Sequence, residues 1–372
     1  MTEEYIRFGN KKLRKGFTTG TSAAGAAKAA AAMALTGKLI DSVEIALPDG
    51  RMISRPLSQR ELTAKGAKAA ITKDGGDDPD ITTGLDIFAE VTVDDTGEIK
   101  LLGGEGVGRV TLKGLKIPVG EAAINPVPRS MIRQNVRAVL PEGYGASVTI
   151  SVPGGEEIAK RTFNPRLGIV GGISILGSTG IVNPMSEDAL MESLSLELKI
   201  LTSKGYDEII FAFGNYGLQY LKDAGIPNDR VIKTSNYIGF MLEEAMDQGV
   251  KRVLLSGHIG KMVKVAGGIF NTHSRKADCR MEILTAYAAL EGASQETIME
   301  IYEGKTTTAA VEVIEREHLT GIYQRIVNNA VRRCQNYTYQ EIEFGAVLFG
   351  DESRLLYMDE KAKEFIKEFQ KK

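Results

Sequence analysis

His258, Lys261, Lys264 and His273 bring two imidazoles and two ammonium groups into one glycine-rich segment, Ser256–Ser274. Imidazoles move protons near neutral pH, and ammonium groups hold carboxylates or phosphates. Lys261 lies three residues from both His258 and Lys264, so helical spacing puts neighbouring members on one side. The segment follows Val250–Leu255, an apolar run that reads as a buried strand. Open α/β sheets bind ligands just past such a strand's carboxyl end.

Other residue groups invite the same question. Thr18, Thr19 and Thr21 open a helix-like alanine run and follow Arg14 and Lys15. Free N–H groups and two basic side chains there suit an acidic ligand, although an ordinary helix cap reads the same way. Residues 73–84 include Asp77 and Asp78 among four carboxylates, either a solvated loop or a site for a cation or ribose hydroxyls. Two loops have glycine at both ends, Gly177-Ser178-Thr179-Gly180 and Gly214-Asn215-Tyr216-Gly217. Each follows an apolar run, so the glycines serve either turn geometry alone or, together with Ser235 and Asn236, a nucleotide-like ligand at one sheet edge.

Composition limits the classes. The chain has 46 basic and 48 acidic side chains, a balance that argues against general nucleic-acid binding. No apolar run reaches the ~18 residues of a membrane span. Residues 11–35 imitate an export signal, but Lys28 interrupts the alanines, so the segment reads as a mature helix. Only Cys279 and Cys334 are present, which excludes a disulfide framework and makes the cytoplasm the expected compartment. Cys279 lies near His273, but structural metal sites need three or four ligands, so no metal site is expected. The GxGxxG, P-loop and GxSxG signatures are absent.

The elements expected to position these residues fall into two domains. Residues 1–160 read as α+β, with a capped helix over 18–35, strands at 43–47, 87–93 and 99–102, a hairpin turn at 94–97, a helix over 129–140 and a strand at 147–152. Residues 161–372 read as a Rossmann-like α/β domain with a mainly parallel sheet and a helical C-terminal part. Four strand–loop–helix units begin at Ile173, Glu208, Val231 and Val250.

Leu13–Thr21, Lys73–Gly84, Gly177–Asn183, Gly214–Gly217 and Ser256–Ser274 together resemble the cobalt-precorrin-5B (C-1)-methyltransferase family of anaerobic cobalamin biosynthesis. Ser22 departs from the cysteine expected of many members. The resemblance implies methyl transfer from S-adenosyl-L-methionine to ring carbon C-1, giving cobalt-precorrin-6A, with cobalt carried only inside the substrate. It implies positioning roles for His258 and Lys261, with His273 as proton acceptor. The glycine loops, Ser235 and Asn236 would hold the donor. Arg14, Lys15, Thr18, Thr19, Thr21, Lys264, Asp77 and Asp78 would hold the corrinoid. Homo-oligomerisation stays open. A non-catalytic corrinoid carrier is the alternative; a nicotinamide oxidoreductase fits less well, because Phe213-Gly214-Asn215 stands where a ribose-binding acid belongs.

Overall fold

The computed structural model describes residues 4–371 and divides into two compact units, Met1–Glu187 and Asp188–Lys372. The break thus falls after residue 187 and not near 160, because residues 161–182 are tied back into the first unit. Ile173 and Ile175 bridge to Val107 and Ile124, and Ile181–Val182 pairs with Gly16–Phe17.

The first unit is built on α1 (Thr19–Thr36), whose alanines have high helix propensity. Thr18 caps it by accepting the Thr21 N–H, and Gly37 closes it at φ 63°. The alanine faces are buried, and Gly25 lets Ile45 and Ile71 come closer than a Cβ would permit. The helix covers a five-stranded sheet of β1 (Gln59–Thr63), β2 (Gly66–Thr72), β3 (Asp86–Asp94), β4 (Ile99–Gly103) and β5 (Gly145–Ser151). Helix α2 (Pro126–Arg137) packs beside α1 and buries Met131, Ile132 and Val136. The strand order is β1-β2-β3-β5-β4.

The turn at 94–97 does not close a hairpin. β5 lies between the two strands, antiparallel to β3 and parallel to β4. Asp94 still makes a local turn, accepting the Thr96 N–H and hydroxyl. This turn passes over Gly145, where a Cβ would lie 2.5 Å from Asp94, Thr96 and Glu98 atoms. Ala146, Val148 and Ile150 then alternate inward against α1.

The second unit starts with α3 (Glu187–Ser203), then β6 (Glu208–Ala212), α4 (Asn215–Asp223), β7 (Val231–Lys233), α5 (Ile238–Asp247), β8 (Arg252–His258) and α6 (Ile259–Ala266). Four helices follow, α7 (Arg280–Leu290), α8 (Gln295–Glu303), α9 (Thr307–Arg316) and α10 (Gly321–Tyr337). The unit ends with β9 (Glu343–Phe349), β10 (Leu355–Met358) and α11 (Glu360–Lys371). The strand order is β7-β6-β8-β9-β10, parallel except for β10. β6, β8 and β9 are buried on both faces, which explains their continuous apolar runs. The chain runs outward from β6 to β7 and then back across to β8. Such a reversal leaves a crevice at the strands' carboxyl ends.

Candidate functional site

The crevice after β6, β7 and β8 gathers Gly214, Asn215, Lys233, Ser235, His258 and Lys261. β6 runs into Gly214, which adopts φ 108° and ψ −167°, a conformation open to glycine. A Cβ built there would meet only the Lys261 Nζ, at 3.5 Å, so the space above this backbone is otherwise open. Lys261, in the first turn of α6, donates from Nζ to the Ser235 carbonyl at 2.9 Å. Ser235 holds a left-handed backbone, φ 57°, two residues past the end of β7. Lys233 ends β7 and places its Nζ 3.2 Å from the Asn215 Oδ1.

Lys261 is half-buried and pairs with no carboxylate among the described residues. Burial, then the charges of Lys233 and Lys264, bring its ammonium down to a pKa of about 8. The crevice therefore holds concentrated positive charge beside open glycine backbone, an arrangement suited to an anionic group.

His258 caps α6, its Nδ1 accepting the Gly260 N–H at 3.1 Å. Its Nε2 lies 3.2 Å from Asp351 Oδ1, and Asp351 Oδ2 accepts the Thr308 hydroxyl at 2.7 Å. The Thr308 bond, then the His258 contacts, outweigh burial and hold the Asp351 carboxyl below its ordinary range. Tyr216 lies beside the imidazole, ring centroids 5.3 Å apart. His273 Nδ1 accepts the Arg275 N–H at 3.1 Å. In each ring Nδ1 is taken by a backbone N–H, so Nε2 is the nitrogen left for other partners.

Lys264 does not share the crevice. It is buried, and its Nζ donates to the Thr272 and Ala277 carbonyls at 3.2 and 2.9 Å, with Asp278 Oδ1 at 3.7 Å. It ties residues 272–278 to α6. Gly217 is a packing glycine, since a Cβ there would lie 2.8 Å from the Ser256 carbonyl. Asn236 accepts the Thr272 hydroxyl at 3.2 Å and joins the same inner network.

Gly177–Gly180 is not a loop of this sheet at all. It belongs to the first unit and closes the start of α1. Thr18 N–H and the Thr21 hydroxyl donate to the Gly180 carbonyl, at 3.1 and 2.6 Å. Gly20 N–H and the Thr19 hydroxyl donate to the Leu176 carbonyl, at 3.0 and 3.3 Å. Thr18, Thr19 and Thr21 are buried, so the helix start expected to receive an acidic ligand is filled by the chain's own carbonyls. Ser178 and Thr179 remain exposed.

The neighbouring charges are also matched internally. Arg14 makes a two-pronged pair with Asp74, at 2.7 and 2.8 Å. That guanidinium, aided by the Gly76 N–H, brings the Asp74 carboxyl to a pKa of about 2 against burial. Lys15 pairs with Glu4 at 3.0 Å. Asp77 accepts the Arg14 N–H at 2.6 Å, and Asp78 the Met185 N–H at 3.0 Å. Buried Lys73 pairs with Asp80 at 2.6 Å. The acidic loop is therefore a brace for residues 14–17 and 185, and no metal-holding cluster occurs among the described residues.

Sequence reading missed Lys233, Thr308 and Asp351, and gave Tyr216 no role beyond its place in the glycine loop. Lys233 and Asp351 had an available signal, since each stands at or just beyond the carboxyl end of a parallel strand. Thr308 comes from α9, which no local pattern links to β9. A partly open cavity of about 80 Å³, lined by Ile210, Pro227, Asp229, Arg230 and Phe369, shares none of these groups. It is too small for a nucleoside, whose pockets start near ~300 Å³.

Comparison with known proteins adds a second line. Residues 7–184 match the family described as CbiD, and residues 271–360 match the CbiD C-terminal domain. A Thermoanaerobacter sp. (strain X514) cobalt-precorrin-5B C(1)-methyltransferase is 49% identical over 342 residues, 91% of this chain and 93% of that protein. The Alkaliphilus metalliredigens (strain QYMF) protein of the same name is 44% identical over 355 residues, 95% and 94% of the two chains. The crystal structure of a cobalamin biosynthesis protein (cbiD) from Archaeoglobus fulgidus aligns with TM-score 0.40 at 30% identity, covering 73% of this chain and 86% of that one.

Proposed function

The chain belongs to the CbiD family, and from that premise we infer that it is an enzyme of cobalamin biosynthesis, transferring a methyl group to C-1 of cobalt-precorrin-5B. The observation that carries this reading is the 49% identity, spread over 91% of the chain, to a protein named for that reaction. We infer S-adenosyl-L-methionine as the donor, because transfer to carbon needs an activated methyl group. The crevice of the second unit supports this reading, with open backbone at Gly214 for a nucleoside and Lys261, which meets no carboxylate among the described residues, for a carboxylate.

The donor's sulfonium supplies the leaving group, so the protein's task is placement and exclusion of water. The bond from the methyl carbon to sulfur breaks with its electron pair going to sulfur, and the corrinoid's carbon supplies the pair for the new bond. His258 acts on this reading as a positioning residue: it fixes the first turn of α6 and with it Lys261. His273, whose Nδ1 accepts the Arg275 N–H, would have only Nε2 to turn toward a substrate. Cobalt enters as part of the substrate.

The test is incubation with methyl-labelled S-adenosylmethionine and cobalt-precorrin-5B, followed by mass spectrometry. One labelled methyl group on the tetrapyrrole and stoichiometric S-adenosylhomocysteine are expected. Tight corrinoid binding with no label transferred would favour a carrier.

A further inference from the structure

We propose that Lys261 and Lys233 form a carboxylate-binding subsite across the crevice between β7 and α6, with the Gly214 backbone as its floor. The proposal rests on the reading of the chain as a methyltransferase and names the ligand group its crevice holds. Three observations carry it. Lys261 and Lys233 reach the crevice from different elements, and their polar contacts there, the Ser235 carbonyl and the Asn215 side chain, are neutral. Gly214 leaves the approach open, because a side chain there would meet only the Lys261 ammonium. Ser235, which receives the Lys261 bond, holds a left-handed backbone that costs a non-glycine residue free energy.

Like charges gathered without a counter-ion oppose folding, whereas an arriving carboxylate turns the same repulsion into binding. The contrast within α6 makes the point. Lys264 has Asp278 and two carbonyls inside the unit, while Lys261, one turn earlier, is left facing the crevice. A lysine that merely braced the Ser235 loop would stabilise the fold. A ligand-holding lysine leaves the empty protein no less stable when it is removed.

Two sources can supply the carboxylate, the amino-acid end of the methyl donor or a side chain of the tetrapyrrole. Isothermal titration of the full chain separates them with three probes: S-adenosylhomocysteine; 5′-methylthioadenosine, which lacks the carboxylate; and cobyrinic acid, a corrin with free carboxylates. If the donor supplies it, Lys261→Met raises the Kd for S-adenosylhomocysteine about tenfold, the loss of one charge-assisted bond of ~1.4 kcal/mol. Affinity for 5′-methylthioadenosine then stays as it was. If the tetrapyrrole supplies it, cobyrinic acid suffers instead. Lys233→Met should act in the same direction, and Lys261→Arg should restore part of the affinity. The melting temperature of unliganded Lys261→Met should equal or exceed that of the parent protein.

Unchanged affinity for all three probes in both methionine variants overturns the subsite while leaving the methyltransferase reading intact. A lowered melting temperature with unchanged affinity does the same and makes Lys261 a loop brace. Failure of the unsubstituted protein to bind any probe would overturn the functional reading itself, and the subsite with it.

Discussion

Lys261 titrates where an enzyme works, and the direction of that titration is checkable. Its folded pKa is about 8 against an ordinary value of 10.5, so the unfolded chain holds the proton more tightly. The cost to stability is full below about pH 8 and is relieved as pH rises toward the unfolded value. Relative to Lys261→Met, the parent protein should therefore gain stability between about pH 8 and 10, read from urea unfolding at several pH values. Equal slopes for the two proteins would show that the lysine is not desolvated. His258 makes a different demand, because its side chain closes the start of α6. His258→Ala should lose about 0.5–2 kcal/mol in urea unfolding, while His258→Asn, a good cap, should lose much less. An identical loss in both would mean that the Asp351 contact, not the cap, sets the stability. Spacing alone put Lys261 and Lys264 on one helix side. It could not tell that Lys264 would be drawn inside by the carbonyls of Thr272 and Ala277, because those bonds depend on how residues 272–278 fold back.

At the scale of elements, Gly177 and Gly214 separate two roles that look alike in sequence. A Cβ on Gly177 would lie 2.4–2.5 Å from Thr18 atoms, and its φ of 131° disfavours any side chain. Gly177→Val should lower the melting temperature of the first unit without a selective effect on S-adenosylhomocysteine affinity at temperatures where the fold survives. Gly214→Val should weaken that affinity selectively, with at most ~1–3 kcal/mol of backbone strain. Titration calorimetry beside thermal melts distinguishes them, and selective loss of binding in Gly177→Val would return that loop to the donor site. The misreading has a physical origin. Ile173–Leu176 has the apolar character of a buried strand, and nothing local states which partner it joins. The turn at 94–97 likewise has correct turn chemistry, but pairing across it was pre-empted by β5 from far along the chain. By contrast, β6 and β8 were legible because strands buried on both faces need continuous apolar runs whatever their order. Their order, and with it the crevice, follows from long-range packing.

For the molecule as a whole, charge balance makes local concentration decisive. With a formal net charge of −2 at pH 7, the chain has no general field to draw in a ligand bearing many carboxylates. Local cations such as Lys233 and Lys261 must supply it. Screening shortens their reach from ~10 Å at 0.1 M salt to ~3 Å at 1 M. Affinity for cobyrinic acid should thus fall markedly between those salt concentrations, while that for 5′-methylthioadenosine should change little. Equal sensitivity of the two would show that charge does not select the tetrapyrrole.

The position of β5 also carries a consequence in time. During synthesis β3 and β4 leave the ribosome well before Gly145–Ser151, so each has an unpaired edge until the intervening strand arrives. The second unit repeats the situation, since β8 waits through five helices for β9. Each sheet is thus sealed late by a strand from far downstream, a slow kind of closure that exposes backbone edges on the way. Nascent chains halted just short of Gly145 or Glu343 should be the species most prone to misassociate.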